Sequence, residues 1–435
     1  MQANLENLGT LERRLSVAVP MTEIDQEVDA RLKRLTRTVK MHGFRPGKVP
    51  LKVVERQYGP QIRQEVLGEA LQRTFGEAVR QQNLRIAGYP RFDPKPLAEG
   101  ASDFEYSATF EVYPEVQVGD ISAVTIAKAH LAVGEAEVDR TVEIMRKQRV
   151  KYEPAERAAE NGDRVTMSYN GKIDGTEFEG GKAENQQVVL GEGRLLTDFE
   201  TQLTGMRAGD TKSFELRFPD DYHGKDVAGK TATFEIGVSE VAAPKLPELD
   251  ADFARALGVA DGDLARMRTE VTTNLEREVK SRLKSRVKDQ VMQALLDSTQ
   301  VEVPKGLVDA EIERLRQLTR QDLAGRGIPV REDTPLPADM FEKQAQRRVN
   351  LGLILAEVVK RHELQPKPEQ VRAIVEEQAQ TYENPQEVVR YYYQQPERLR
   401  EFESMALEDN VVDWALRTAK VEEKPIAFDE LMGNK

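Results

Sequence analysis

The chain contains no cysteine, one tryptophan, four histidines and no run of 18 consecutive apolar residues. Without a thiol there is no disulfide framework, thiolate zinc site, iron–sulfur cluster or cysteine nucleophile, and a reducing compartment is the natural setting. His42, His130, His223 and His362 stand apart from one another, with no His/Asp/Glu spacing suited to a metal, so no metal centre is expected. No stretch is long and apolar enough to span a bilayer, and MQANLENLGTLERR lacks a basic segment leading into an apolar one. The expectation is a cytoplasmic chain without membrane contact. Gly191-Glu192-Gly193 lacks the third glycine of a dinucleotide loop, GxxxxGK[ST] is absent, and Asp261-Gly262-Asp263 lacks the rest of a calcium loop. Neither cofactor nor nucleotide is expected, and Ser and Thr lie too far from the histidines to suggest a catalytic triad.

Charge is what the chain has in excess. Charged residues make up 32% of its 435 positions, against about 25% in an average domain. At about 150 residues per domain, the length suggests roughly three domains. The net charge of −12 is uneven: Arg31 to Lys52 holds eight cations (Arg31, Lys33, Arg34, Arg37, Lys40, Arg45, Lys48, Lys52) and no acid, leaving −20 on the remainder.

Ile24, Val28, Leu32, Leu35 and Val39 recur at helical spacing after Pro20, which predicts a helix capped at Thr22 with its cations on the wet side. Cations near a helix C-terminus complement its dipole. That does not account for Gly43-Phe44-Arg45-Pro46-Gly47-Lys48-Val49-Pro50, where two glycines and two prolines predict a rigid loop carrying an aromatic and two cations. Arg as a fork donor and Phe as an apolar anchor suit docking on RNA phosphate or an acidic protein face; a solvated charge run is the plain alternative. The octapeptide resembles the Gly-Phe-Arg-x-Gly-x-x-Pro signature of the bacterial trigger factor family. The resemblance implies a ribosome-docking loop, with Gly43, Phe44, Arg45, Pro46, Gly47, Lys48 and Pro50 in contact with a large-subunit protein and adjacent RNA at the exit tunnel. An amphipathic helix (Ile62, Val66, Ala70, Phe75, Val79) and an alternating strand (Phe104, Tyr106, Ala108, Phe110, Val112) complete an α+β unit over 1–112.

Between about 160 and 242 the pattern changes to short alternating runs: Val165, Met167, Tyr169; the hairpin pair Asp174-Gly175; Phe214, Leu216, Phe218; and Phe234, Ile236, Val238. One short helix is expected around Asp198 to Leu203. Taken singly, each aromatic reads as core. Taken in order, Asp174-Gly175-Thr176-Glu177-Phe178, Glu179-Gly180-Gly181, Gly191 to Leu196, Phe199-Glu200, Phe218 to His223 and Phe234 resemble FK506-binding-type peptidyl-prolyl isomerases. That likeness implies a proline pocket lined by Tyr169, Phe178, Leu195, Leu196, Phe199, Tyr222 and Phe234, with Phe218 beside it. Thr197-Asp198 and Gln186-Gln187 depart from the pattern, which carries Pro-Gly and often an aromatic there.

From Pro244 onward the chain reads as helical. Leu264, Met267, Val271, Leu275, Val279, Leu283, Val287, Val291 and Leu295 advance mostly by four, so the stripe drifts about 40° per such step and no straight partner covers it. Pro335-Leu336-Pro337, Pro366-Lys367-Pro368, Pro385 and Pro396 separate further helices. Such stripes describe a helical scaffold as well as arms offering apolar patches to unfolded chains. Pro247-Glu248-Leu249-Asp250, Val303-Pro304, Arg347 to Leu353 and Tyr382-Glu383-Asn384-Pro385 resemble the trigger factor C-terminal domain. The expected fold is a multidomain α+β protein: an α+β ribosome-docking domain (1–112), a linker packing with the C-terminal domain (113–149), a β-rich isomerase domain (150–245) and an extended all-α chaperone domain (246–435). The resemblance implies an ATP-independent chaperone of nascent and unfolded chains at the ribosome, with room for a homodimer off it. A free prolyl isomerase with a helical platform, and a scaffold bearing an inactive β module, remain the alternatives.

Overall fold

The computed structural model describes residues 2–42, 44, 48–96, 102–222, 224–328, 336–382 and 384–433. They form two compact units, Met1–Ala129 with Ser285–Lys424, and His130–Lys284 with Pro425–Lys435.

The first unit opens with β1 (Gln2–Asn7), β2 (Glu12–Pro20), α1 (Met21–Thr38), α2 (Leu51–Gln81), β3 (Ile86–Pro94) and β4 (Asp103–Val112). The strands make an antiparallel sheet of order β1-β2-β4-β3. Strict alternation buries Leu15, Val17 and Val19 of β2 and Phe104, Tyr106, Ala108 and Phe110 of β4 on one face. Ile24, Val28 and Leu32 of α1 and Val54, Ile62 and Val66 of α2 cover that face. Helix α1 begins one residue before the expected cap: Pro20 is the N-cap, with no side-chain cap, and the Met21 N–H donates to the Ser102 carbonyl instead.

Strand β5 (Thr125–His130) follows, then α3 (Glu135–Lys147). In the second unit, β6 (Lys151–Pro154), β7 (Arg164–Ile173), β8 (Thr176–Val189), α4 (Thr197–Leu203), β9 (Thr211–Arg217) and β10 (Thr231–Lys245) form a five-stranded sheet wrapped on one short helix. Strand β6 pairs with the end of β10, Lys151 opposite Lys245, so the chain enters and leaves this module side by side. Asp163, 1% exposed, is the buried acid of the module; Arg157 donates to both its carboxylate oxygens at 2.6 and 3.0 Å, and the Glu160 N–H adds a third bond.

The helices are α5 (Ala251–Ala256), α6 (Leu264–Ser298), α7 (Lys305–Gly325), α8 (Asp339–His362), α9 (Pro368–Ala379), α10 (Pro385–Tyr393) and α11 (Pro396–Thr418), followed by β11 (Lys420–Pro425) on β5 and by α12 (Phe428–Met432). Helices α9, α10 and α11 each carry proline in the first turn, where its missing N–H costs no bond. The drifting stripe of α6 divides between the units. Met267, Val271, Leu275 and Val279 are buried in the second, where α3 lies close enough for Arg268 to pair with Asp139 at 2.5 Å. Val287, Val291 and Leu295 are buried in the first, with Ile121, Ile126, Ile354, Val358 and Val411. A stripe that rotates along the helix is covered by different neighbours along its length.

Candidate functional site

The hairpin β7–β8 turns at Asp174 and Gly175, both with positive φ (50° and 80°), the geometry a two-residue turn between twisted strands requires. Beyond it the register breaks. Lys172 faces Glu177 and Asn170 faces Lys182, so 178–181 bulge from the ladder and carry Phe178 out of it. Tyr169 comes from β7, Phe199 from α4, Phe234 from β10, Leu195 and Leu196 from the segment entering α4, and Phe218 and Tyr222 from the chain after β9.

All eight predicted pocket residues line one cavity of about 430 Å³, together with Leu216, Val227 and the rim residues Glu179 and Arg194. Phe234 is its hub. Its ring centroid lies 5.2 Å from Phe199, 6.1 Å from Tyr169, 6.2 Å from Phe178 and 6.3 Å from Phe218, while Phe218 meets Tyr222 at 4.9 Å. Most of these pairs are edge-to-face, the arrangement ring quadrupoles favour. Phe199, Phe218 and Phe234 are buried and form the floor; Tyr169, Phe178, Leu195, Leu196 and Tyr222 are half-exposed and form the walls. The cavity's size and apolar lining suit a small apolar ring. The departures Gln186 and Gln187 lie exposed on β8 opposite Met167 and Thr166, outside the cavity lining. Thr197 starts α4, and Asp198 sits in its first turn, where an acid suits the helix dipole. Val227 carries no sequence signal as a lining residue, since it sits within a turn and belongs to no periodic run; Leu216 is visible in the sequence only as part of a strand alternation.

The second predicted site lies between α1 and α2. Gly43, Arg45, Pro46 and Gly47 fall outside the described residues. Phe44 is 40% exposed, Lys48 is exposed, Val49 is buried, and Pro50 is the N-cap of α2. Arg31 is held by carboxylates of both helices: it donates to Glu27 at 3.0 Å and, as a fork, to Glu69. Its hydrogen bonds to Glu69 first and Glu27 second push its pKa up, and the same bond from Arg31 holds the Glu69 carboxyl below its ordinary value. Lys33, Arg34, Arg37, Lys40, Lys48 and Lys52 are exposed and form no ion pair among the described residues.

Residues 1–145 match the family described as "Bacterial trigger factor protein (TF)", 263–417 that described as "Bacterial trigger factor protein (TF) C-terminus", and 155–239 "FKBP-type peptidyl-prolyl cis-trans isomerase". A protein of Nitrosospira multiformis described as "Trigger factor" is 57% identical over 434 residues, covering 100% of both chains. Proteins with the same description from Aromatoleum aromaticum and Laribacter hongkongensis are 54% and 53% identical over 435 residues, again covering 100% of each chain. A solved chain described by the words "Promiscuous Substrate Recognition in Folding and Assembly Activities of the Trigger Factor Chaperone" aligns with 96% of this chain and 99% of its own length at 19% identity, with a TM-score of 0.47.

Proposed function

The chain belongs to the bacterial trigger factor family, ribosome-associated chaperones with a peptidyl-prolyl isomerase domain, and on that premise we propose how its two sites divide the work. The aromatic cavity takes the proline ring of an X-Pro segment. Rotation about that amide meets a barrier of about 18–20 kcal/mol from resonance alone, and no covalent bond breaks, so no nucleophile, metal or general base is required. The floor of Phe199, Phe218 and Phe234 receives the ring, and the walls remove water from the carbonyl. A site that fits the twisted amide better than either planar form lowers the barrier by differential binding.

The loop holding Phe44 and Lys48, with the unpaired cations of α1, docks on the ribosome and places the remaining surfaces near the emerging chain, which they shield without nucleotide in the cytoplasm. The division into 1–112, 113–149, 150–245 and 246–435 is part of the same reading. Support comes above all from one observation: eight side chains from five separate stretches of sequence line a single apolar cavity centred on Phe234. Proline-limited peptide exchange catalysed by the full-length protein and by its Phe234→Ala and Leu196→Ala variants tests the pocket; equal rates in all three remove it as the site. Co-sedimentation with ribosomes, wild type against Phe44→Ala/Arg45→Ala/Lys48→Ala, tests the loop, and equal pelleting at low salt removes docking through it.

A further inference from the structure

The hub ring of the cavity lies where a neighbouring residue has no side chain. Gly171 of β7 is the ladder partner of Phe234 in β10. A Cβ on Gly171 would stand 2.5 Å from Cε1 of Phe234 and 2.9 Å from both Cδ1 and Cζ, well inside van der Waals contact. The backbone at Gly171 is not in the positive-φ region, so other residues suit its dihedral angles and the demand for glycine is one of space. A glycine inside a strand otherwise weakens it, and it marks a place where something approaches closely. Here that something is the ring on which Phe199, Tyr169, Phe178 and Phe218 all converge. The neighbouring strand repeats the device: Gly181, in the bulge of β8, would place a Cβ 3.0 Å from Cε1 of Phe178 and from the carbonyl oxygen of Gly171.

We propose that Gly171 is a positioning residue for prolyl isomerisation, its missing side chain setting the depth to which the Phe234 ring sinks and therefore the room left for the proline ring. This rests on the assignment of the cavity as the isomerase site. Adding a methyl group lifts the ring into the cavity or turns it aside. Either movement displaces the surface that meets the substrate, and a displacement of about 1 Å at a reacting site costs on the order of tenfold to a hundredfold in rate. The other pocket side chains remain in place, so the loss depends on the ring being there to be moved.

That dependence is what the test reads, as a double-mutant cycle in the full-length protein. Proline-peptide exchange is measured for wild type, Gly171→Ala, Phe234→Leu and Gly171→Ala/Phe234→Leu, with near-ultraviolet circular dichroism and thermal unfolding on each. The expected result is a fall in kcat/KM of about tenfold or more for Gly171→Ala and no further loss when the same change is made on Phe234→Leu, whose shorter side chain leaves space for the methyl. Gly171→Ala unfolded, with the double variant folded and as active as Phe234→Leu, supports the same conclusion. Full activity of Gly171→Ala, losses that simply add, or loss of the fold in both glycine variants overturns it. Undiminished activity in Phe234→Leu alone removes the cavity as the site, and the proposal with it.

Discussion

The carboxylate of Glu111, at the end of β4, accepts the backbone N–H of Gly306 at 2.7 Å and that of Lys305 at 3.1 Å, so the N-terminal sheet caps the first turn of α7. Helix α7 has no side-chain cap of its own, because Pro304 occupies that position, and no acid in its first turn. The cap therefore comes from 195 residues away. Gly88 of β3, with φ of 83°, and Gly306 lie so close that a Cβ on either would press on the other's backbone.

Glu111→Ala should cost about 1 kcal/mol, the usual worth of a helix cap, with part of the loss specific to α7. Hydrogen exchange at the Leu307 and Val308 amides reads it: faster exchange there, with α9 and α11 unchanged, is expected. Glu111→Gln keeps one acceptor and should fall between the two.

The cations of the basic segment should separate by partner. Lys48→Ala and Arg34→Ala each remove an unpaired exposed charge, so each should lower the slope of log K against log salt in ribosome binding by about 1 for every phosphate that the side chain neutralises. Arg31→Ala should leave the slope alone and loosen the α1–α2 hairpin instead, since its charge is already committed to Glu69 and Glu27. A slope change in Arg31→Ala equal to that of Lys48→Ala would contradict this.

Tyr106 gives the N-terminal domain an alkaline limit. Burial raises its pKa above the ordinary 10.0, and the hydrogen bond with Thr74 Oγ1 at 2.8 Å opposes the shift only in part. Both states hold the proton below about pH 10, so the contribution is fully present there; above it the unfolded chain ionises first and stability falls as pH rises through the folded value. Tyr106→Phe should flatten the fall seen in denaturant midpoints above about pH 10. Thr74 keeps an acceptor in the Ala70 carbonyl at 2.7 Å, so the variant leaves no orphaned hydroxyl.

Floor and wall residues of the cavity should fail differently. Phe199→Ala empties a buried site and should destabilise the isomerase domain by about 3–5 kcal/mol. Leu195→Ala trims a half-exposed wall, so it should raise KM for proline peptides with little change in thermal stability. Calorimetry beside steady-state kinetics on both variants separates these outcomes.

Much of this is legible in the residues themselves. Alternation in β2 and β4 and the Asp174-Gly175 turn each carry their reason locally, in a period or in a required dihedral. The Glu111 cap and the Arg31–Glu69 pair are not legible, because nothing near a carboxylate announces a partner far along the chain. The bulge at 178–181 is hidden for a related reason: strand periodicity fixes which face a residue takes but not where the ladder slips. Helix α6 falls between these cases. Its drifting stripe says correctly that one straight partner could not cover it, while the division at 284–285 depends on which elements pack against each half.

Lys151 and Lys245 sit opposite each other where β6 meets β10, so the ninety-odd residues between them form a loop whose ends are already joined by a sheet. Neighbouring strands run about 5 Å apart, a gap that a few residues of chain bridge without strain. The rest of the polypeptide therefore feels nearly the same end-to-end distance from the folded module as it would from a short turn. While folded, the insert leaves its host unstrained; unfolded, it would ask of the host a loop-closure entropy that grows only as the logarithm of the loop's length.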